Sequence, residues 1–353
     1  MKRTYMLRPR KRCPHFRASN ADDGAPMTPS DHNTRRPHVL VTGGSGLVGG
    51  AVTRHLRQSG YQVTAPTRSE MDLLDETSSR TAMASIAPDV VVGAAALVGG
   101  IAANVAEPVR FLVDNTVMQN NLMTSAADTG VSHLIFMSSS CVYPRESPQP
   151  MEEAYMMTGP LEPTNESYAI AKLAGMQLAR ALQDEGRLRS SVLIPSNIYG
   201  PGDSFNPERS HVASALVKKF VDAKRAQAET VPVWGTGKAR RELTHSDDLA
   251  SATEFVISNG ERLPFAINVG TGTDHSIAEL AEMISDMVGF QGSIVFDPSK
   301  PDGMPRKVLD TKVLTSLGWR AAVPLEMGIR QMIREYRAIS EAQSDSGKLK
   351  QHA

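Results

Sequence analysis

The amino-acid sequence of 353 residues predicts an α/β fold, in which a doubly wound parallel sheet is joined to a smaller α/β lobe. Three observations support this prediction. A glycine-rich turn separates an apolar β-type run from an amphipathic helical stretch. Repeated β–α units follow along the chain, a pattern that is typical of parallel sheets. The candidate reactive side chains fall where predicted strands end, and ligands bind at those carboxyl ends in doubly wound sheets.

The first unit begins with the apolar run Val39–Thr42 and continues directly into a glycine turn. An amphipathic stretch from Val48 to Gln58 follows and stops at Gly60. Glycines let the backbone turn tightly and approach a pyrophosphate at the helix N-terminus. The order of strand, turn and helix therefore predicts a nucleotide-cofactor site. Its residues are Gly43, Gly44, Ser45, Gly46, Leu47, Val48 and Gly49.

The second predicted strand, Gln62–Ala65, leads to Arg68, which bears on the choice of cofactor. A carboxylate at this place would bind a ribose hydroxyl of NAD, whereas an arginine can bind the additional phosphate of NADP. Arg68 therefore favours NADP. Asp72, a few residues later, keeps NAD possible.

Further β–α units extend the predicted sheet. In order, they are a strand at Asp89–Ala95, a helix at Phe111–Thr129, a strand at His133–Met137, a helix at Ser167–Asp184 and a strand at Ser191–Ile194. Because the strand–helix alternation repeats, we expect a parallel sheet with helices on both faces.

Two neighbouring motifs carry the candidate chemistry. Ser139 and Cys141 follow one predicted strand, and Tyr168 and Lys172 lie four residues apart on one face of a predicted helix. A phenol is a poor acid or base at neutral pH unless a cation stabilises the phenolate, and Lys172 supplies that cation. With Ser139 to bind a carbonyl oxygen, the group predicts proton transfer that accompanies hydride transfer. Cys141 adds a thiol.

From about Tyr199 the pattern is less regular and predicts a smaller substrate lobe. It contains a loop at 200–210, a helix at His211–Ala226, a strand at Val231–Gly235, a basic turn at Lys238–Glu242, a helix at Ser276–Val288 and a strand at Ser293–Phe296. Lys219, Arg241 and Lys307 would suit an anionic diphosphate, although scattered surface cations would give the same pattern.

Composition limits the function classes. Lys plus Arg and Asp plus Glu each number 38, so the formal net charge is zero. This balance does not favour binding to nucleic acid or to an anionic membrane. No apolar run approaches membrane-spanning length. The two cysteines, Cys13 and Cys141, show no paired spacing or metal-ligand cluster, which predicts a reducing compartment and no metal. We expect a cytoplasmic protein.

The domain prediction follows from these patterns. Residues 1–36 are rich first in Arg and Lys and then in polar residues, which predicts a disordered extension. Residues 37–198 form the cofactor domain, residues 199–341 form mainly the substrate lobe with a part returning to the cofactor domain, and residues 342–353 form a flexible tail.

The chain resembles the extended short-chain dehydrogenases/reductases and, within them, the GDP-L-fucose synthases, from about Val39 to Ile339. The motifs that carry the resemblance are Val98–Ile101, Ser139–Pro144, Leu161–Asn165, Tyr168–Lys172, His211-Val, Trp234-Gly-Thr-Gly, Arg241-Glu and Lys300-Pro-Asp-Gly. General reductases share the glycine turn and the Tyr168–Lys172 pattern but lack the Ser139–Cys141 pair and the distant His211.

The resemblance implies a two-step conversion of GDP-4-dehydro-6-deoxy-D-mannose to GDP-L-fucose with NADPH. Ser139, Tyr168 and Lys172 would form the reductase triad at C4. Cys141 would be the base that removes protons at C3 and C5, and His211 would be the acid that returns them. A keto group at C4 acidifies both neighbouring C–H bonds, which makes this assignment chemically coherent.

The resemblance also assigns binding residues. Nicotinamide contacts would come from Met137, Ser138, Ser139, Ser140, Pro195, Ser196, Asn197 and Ile198, with the 2′-phosphate at Arg68. Substrate contacts would come from Asn197, His211, Lys219, Trp234, Arg241, Asp302 and Lys307. A homodimer is expected by analogy with the superfamily.

Other functions remain open from the sequence. Ser138, Leu97, Leu243, Ser196 and Ser204 differ from residues common in the family, and they lie on expected pocket walls. A related enzyme that acts on a GDP-dideoxy sugar, as in colitose formation, would use the same groups. The alternatives are an NAD-dependent nucleotide-sugar 4-epimerase or dehydratase, which needs no Cys141–His211 pair, and a catalytically inactive NADP-binding sensor.

Overall fold

The computed structural model describes residues 36–207 and 209–351. The predicted N-terminal extension lies outside these residues except for Arg36. The strands of the described part are β1 (His38–Thr42), β2 (Gln62–Thr64), β3 (Val90–Gly93), β4 (His133–Met137), β5 (Arg189–Pro195), β6 (Asn197–Tyr199), β7 (Thr230–Trp234), β8 (Arg240–His245), β9 (Ala266–Val269), β10 (Asp274–Ser276), β11 (Ser293–Asp297) and β12 (Arg306–Lys307).

The α-helices of the same part are α1 (Leu47–Gln58), α2 (Glu76–Ile86), α3 (Ile101–Ala106), α4 (Pro108–Asp128), α5 (Glu166–Asp184), α6 (Val212–Arg225), α7 (Ser246–Asn259), α8 (Ile277–Val288), α9 (Lys312–Ser316) and α10 (Leu325–Gln351). None of these helices is long and apolar enough to cross a membrane. Helix α10 continues past residue 341, where the sequence predicted that a flexible tail begins.

The main sheet has six parallel strands in the order β2-β1-β3-β4-β5-β9. The chain runs outward from β1 to β2, crosses back to β3 on the other side of β1, and then continues in one direction. The reversal creates a switch point between β1 and β3, where ligands bind in such sheets. The predicted α/β fold with a doubly wound parallel sheet is therefore confirmed.

Alternation along the central strands explains why helices cover both faces of the sheet. Leu40 of β1 packs in a core cluster with residues of α2, α4 and α5. Its neighbours Val39 and Val41 pack in a second cluster with residues of α1 and α7. All three side chains are fully buried. Strands that are buried on both faces read as continuous apolar runs, as β1 and β3 do.

The smaller sheets contain the main difference from the sequence prediction. The segment Lys238–Glu242 was expected to be a basic turn, and this was wrong, because Arg240–His245 forms β8. Strand β8 pairs with β10 and β12 at one end and with β6 at the other. Its partners lie far away in sequence, so local spacing gives no sign of the strand. Strands β7 and β11 form a separate parallel pair.

A buried polar junction ties the main sheet to the loops beyond it. The Tyr143 hydroxyl donates a 2.6 Å hydrogen bond to the Asn268 side-chain oxygen. The Asn268 amide group donates to the backbone carbonyls of Met151 and Asp310 at 2.9 and 3.1 Å. Asn268 is fully buried and Tyr143 nearly so. This junction fixes the segment after β4, which contains Ser139 and Cys141.

We predict that Tyr143→Phe lowers the free energy of unfolding by about 1–3 kcal/mol, because the Asn268 oxygen loses its buried donor. Urea unfolding measures the change. Tyr61→Phe is the matched control, since its hydroxyl makes only a 3.4 Å contact with Ser258, and its loss should be smaller. Equal losses in both variants would contradict the role of the junction.

Candidate active site

One cavity of about 1150 Å³ lies at the carboxyl ends of β1, β3, β4 and β5 and extends to the smaller sheets. The structure brings every residue that the sequence predicted for the site to the wall of this cavity. Within the described residues, no group of three or more His, Cys, Asp or Glu side chains could hold a metal ion.

The glycine turn between β1 and α1 forms a tight backbone cradle. A Cβ atom at Gly49 would lie 2.2 Å from the carbonyl oxygen of Gly43, so no larger residue fits without movement. Gly43 has a φ of +70°, which favours glycine. Gly46 caps α1 without a side-chain hydrogen bond, which leaves helical N–H groups for a ligand. These features fit a dinucleotide diphosphate.

The adenosine end of the cradle contains Arg68 and Asp72. Their side chains form an ion pair of 3.4 Å, and the Arg68 side chain is 73% exposed. An exposed pair of this kind contributes little to stability, so the guanidinium can exchange its partner at low cost. Arg68 is thus placed to accept a phosphate, because its ion pair with Asp72 is exposed and weak.

Another part of the cavity wall is formed by residues that follow β4 and β5. Ser138 donates a hydrogen bond to the sulfur of Met176 at 3.1 Å. The hydroxyls of Ser196 and Thr244 lie 2.6 Å apart, and the Asn197 amide donates to the carbonyl of Glu242 at 2.9 Å. These bonds hold the backbone of both segments against the cavity, where the sequence predicted nicotinamide contacts.

Tyr168 and Lys172 lie in α5 beside the end of β4. The Lys172 Nζ donates to the carbonyl oxygen of Met137 at 2.8 Å and lies 5.8 Å from the centre of the Tyr168 ring. Lys172 is only 3% exposed, and this burial lowers its pKa to about 8. Burial raises the pKa of Tyr168, the charge of Cys141 acts in the same direction, and the hydrogen bond with Ser139 acts against it.

The Tyr168 hydroxyl is therefore a protonated acid at neutral pH, and the Lys172 ammonium lies over the same ring. A phenol in this state can donate a proton when a negative oxygen develops nearby. Ser139 supplies a second hydroxyl in the same place. The arrangement supports the predicted reductase triad chemically.

Cys141 lies in a short 3₁₀ turn after β4. The Ser139 hydroxyl accepts the Cys141 N–H at 3.3 Å, which fixes the turn. Two donors contact the Cys141 sulfur: the Asn165 side-chain amide at 3.2 Å and the Lys307 Nζ at 3.3 Å. Lys307 was predicted to contact the substrate diphosphate, and the structure places its ammonium on this sulfur.

His211 lies at the cap position before α6 and makes no capping bond with its side chain. Asp203, on the preceding loop, is nearly buried, and one of its carboxylate oxygens has no hydrogen-bond partner in the described chain. Burial raises the pKa of Asp203, whereas the charge of His211 lowers it. The two side chains are therefore close enough to interact electrostatically.

The remaining predicted substrate residues differ in how many hydrogen bonds their side chains already make within the protein. Both carboxylate oxygens of Asp302 are bound by Thr236, at 2.8 and 2.9 Å. Arg241 donates to three backbone carbonyls, and burial lowers its pKa. Lys219 donates to the carbonyl of Pro232 at 2.7 Å. Trp234 is half exposed, and the Lys300 Nζ lies over its ring at 5.7 Å from the centre.

Two residues of the site carried no role in the sequence prediction. Asn165 was part of a motif, but nothing in its spacing indicated contact with Cys141. Asp203 lies in a loop that was read only as irregular. A signal existed for Asn165, because it directly precedes the helix that carries Tyr168 and so lies near the same strand end.

Comparison with known proteins decides the family. A family profile, described as the NAD dependent epimerase/dehydratase family, matches residues 39–270. The GDP-L-fucose synthase of Escherichia coli is 43% identical over 304 residues, which cover 83% of this chain and 94% of that protein. The chain belongs to the GDP-L-fucose synthases.

Two further proteins are similar to this chain. A GDP-L-colitose synthase of Yersinia pseudotuberculosis is 38% identical over 292 residues, covering 82% of this chain and 95% of that protein. The crystal structure of a GDP-L-fucose synthetase from Naegleria fowleri bound to NADP is 28% identical, with a TM-score of 0.78, covering 87% of this chain and 96% of that one.

We predict that Gly49→Ala weakens NADPH binding at least about tenfold, because the added methyl group would collide with the Gly43 carbonyl and open the cradle. Titration calorimetry measures the affinity. Gly50→Ala is the control, since its Cβ would lie 3.2 Å from the Gly44 oxygen and needs only a small adjustment. A normal affinity in the Gly49 variant would show that the cradle does not hold the cofactor.

Proposed function

We propose that this protein converts GDP-4-dehydro-6-deoxy-D-mannose to GDP-L-fucose in two steps, 3,5-epimerisation followed by NADPH-dependent reduction at C4. The observation that carries the proposal is the placement of the Cys141 thiol and the Ser139–Tyr168–Lys172 group in one cavity. One set of groups suits proton removal from carbon, and the other suits reduction of a ketone. The sequence relatives support the same reaction.

The cofactor assignment rests on the cradle and on Arg68. When bound, NADPH supplies the hydride for C4. The glycine turn would hold the diphosphate at the N-terminus of α1, and Arg68 would bind the 2′-phosphate. Residues 37–198 would thus form the cofactor domain and residues 199–341 mainly the substrate lobe. The NADP-bound relative from Naegleria fowleri supports NADP rather than NAD.

In the reduction step, Tyr168 donates its proton to the C4 oxygen as negative charge develops there. Lys172 stabilises the resulting phenolate, and Ser139 donates a hydrogen bond to the same oxygen. The position of Lys172 is fixed by its bond to the Met137 carbonyl, so its charge stays beside the Tyr168 ring.

In the epimerisation step, Cys141 removes a proton at C3 or C5, and the charge moves to the C4 oxygen as an enolate. Tyr168 and Ser139 stabilise that oxygen, so the same donors serve both steps. His211 returns a proton to carbon from the other side of the sugar. Asp203 lies close enough to stabilise the His211 cation that donates.

The substrate diphosphate requires cationic and polar groups on the substrate lobe. We assign this role to Lys219 and Arg241, with Asn197 on the sugar side and Trp234 as an aromatic face for the base. Asp302 contributes indirectly, because its carboxylate holds the turn after Trp234 through Thr236.

A GDP-dideoxy keto sugar is the second candidate substrate. The relative from Yersinia pseudotuberculosis favours it, since a colitose-type reaction uses the same acid–base groups. A 4-epimerase or dehydratase would leave Cys141 and His211 without a role, which makes that function less favoured. An inactive NADP-binding sensor would not need the complete triad that the cavity contains.

The assembly and the compartment are also part of the proposal. A homodimer is suggested by the exposed apolar side chains of Val105, Val109 and Val113 near the start of α4. Burial of such a row against a second copy would remove it from water. The free thiol of Cys141 suits the reducing environment of the cytoplasm.

We predict that the purified protein consumes NADPH with GDP-4-dehydro-6-deoxy-D-mannose and that NMR identifies GDP-L-fucose as the product. In deuterated water, Cys141→Ser should lose deuterium incorporation at C3 and C5 about 100-fold or more, while slow reduction of the unepimerised sugar persists. Tyr168→Phe should lose reduction by a similar factor and retain exchange at C3.

Cys13→Ser is the control for the thiol and should behave like the wild type. Normal epimerisation by the Cys141 variant would refute the role of its thiol. No turnover of this substrate, combined with turnover of the dideoxy sugar, would replace the first candidate by the second. A tightly held NAD with no net consumption would indicate a 4-epimerase.

The reduction step should depend on pH through Lys172. Its cation is the main form at pH 7 and is lost as the pH rises through about 8. We predict that kcat/KM for reduction falls on the alkaline side with a midpoint of about 8, measured from NADPH absorbance. The residual activity of Lys172→Arg should lack this decline, because arginine keeps its charge. An alkaline decline that persists in this variant would assign the titration to another group.

A further inference from the structure

We infer that two hydrogen-bond donors, the side chains of Lys307 and Asn165, hold the Cys141 sulfur as a thiolate before substrate binds. The inference deepens the proposed function and rests on it for the role of the thiolate as a carbon base. It gives Lys307 a positioning role at the thiol in place of the diphosphate contact that the family resemblance implied.

The hydrogen-bond inventory of the three side chains supports an ionised sulfur. A lysine ammonium has three donors and no acceptor, so the Cys141 sulfur must be the acceptor in its 3.3 Å contact with Lys307. The Asn165 Nδ2 also donates, at 3.2 Å. A thiol sulfur is a weak acceptor, whereas a thiolate accepts strongly. Two donors on one sulfur therefore favour the anion.

The surroundings of Lys307 point in the same direction. The residue is only 8% exposed, and a buried ammonium is costly unless it is paired. Within residues 36–207 and 209–351, no carboxylate lies within ion-pair distance of its Nζ, and this nitrogen donates a hydrogen bond to Cys141. A thiolate is the counter-charge that this position offers.

The other charged groups that face Cys141 do not cancel this effect. Arg241, which is paired with Lys307 in the register of β8 and β12, adds a second positive charge that interacts with the sulfur. Tyr168 faces the sulfur from α5, and its phenol is neutral at physiological pH. Arg241 also interacts with the carboxylates of Asp302 and Glu162, and Glu162 is paired with Arg145 at 3.1 Å, so Lys307 is the cation in direct contact with the sulfur.

The backbone next to Lys307 is held firmly enough to define this geometry. The N–H of Val308 donates to the Gln149 side chain at 3.0 Å, and the N–H of Leu309 donates to the Glu242 carboxylate at 2.8 Å. The Asn165 side-chain oxygen is buried and has no hydrogen-bond partner in the described chain.

The test measures the alkylation of Cys141 by iodoacetamide across pH in the full-length chain with Cys13→Ser as background. We expect Lys307→Met to lower the alkylation rate at pH 7 by about tenfold and to move the midpoint of the rate–pH curve upward by about one pH unit. Lys307→Gln keeps a donor without the charge and should give an intermediate shift. Asn165→Ala should give a smaller shift in the same direction.

Lys312→Met is the matched control, because this lysine is exposed and is paired with Asp310, and its midpoint should equal that of the background. Circular dichroism and NADPH affinity verify the fold of each variant. A merely structural role of Lys307 would change the rate without moving the midpoint. An unchanged midpoint in both Lys307→Met and Lys307→Gln would overturn the inference.

Deuterium exchange into the keto sugar separates this inference from the proposed function. Exchange by Lys307→Met should fall at pH 7 and recover as the pH rises, because hydroxide then ionises the thiol. If the alkylation midpoints shift but the wild-type protein exchanges no deuterium, the role of Lys307 and Asn165 at the Cys141 sulfur is upheld and the proposed function is refuted. Unshifted midpoints in a protein that makes GDP-L-fucose would do the opposite.

Discussion

A buried carboxylate, that of Glu242, joins the segments that surround the candidate site. It accepts hydrogen bonds from the N–H groups of Gly272 and Leu309 at 2.7 and 2.8 Å, and it is fully buried in β8. Its backbone carbonyl accepts the amide of Asn197. Burial raises the pKa of Glu242 to about 7, while the bonds from Leu309 and Gly272 lower it. Without these partners the carboxyl group would be costly to bury, so the segments are held together.

The hydrogen bonds of Glu242 also bear on the candidate site, because they position Arg241 and Lys307. Arg241 precedes Glu242 in β8, and Lys307 lies opposite Arg241 in β12. Lys307 contacts the sulfur of Cys141 from this strand pair, and Arg241 interacts with it only through its charge, whereas Cys141 itself follows the end of β4. Cys141 follows a strand of the main sheet and Lys307 lies in a smaller sheet, so their contact depends on how those sheets are joined.

The sequence predicted the parts of the fold that rest on local patterns. The glycine turn, the alternation of strands and helices, and the four-residue spacing of Tyr168 and Lys172 all depend on neighbours in the chain. Strand β8 was missed because its hydrogen-bond partners lie in three distant segments. The contact between Lys307 and Cys141 joins residues 166 positions apart, and no periodicity encodes such a pair.

Burial explains why one cavity can serve two reactions that make opposite demands on protonation. In the proposed mechanism, Cys141 has to lose a proton before the first step, whereas Tyr168 has to keep one for the second. The structure separates these states by placing cations next to the sulfur and by burying the phenol beside a negative neighbour, which raises the pKa of Tyr168. Burial raises the pKa of Tyr168 most, and the proposed thiolate would act in the same direction while it serves as base. Once Cys141 carries the proton from carbon, that negative neighbour is neutral, and Tyr168 becomes a stronger acid as the C4 oxygen needs its proton.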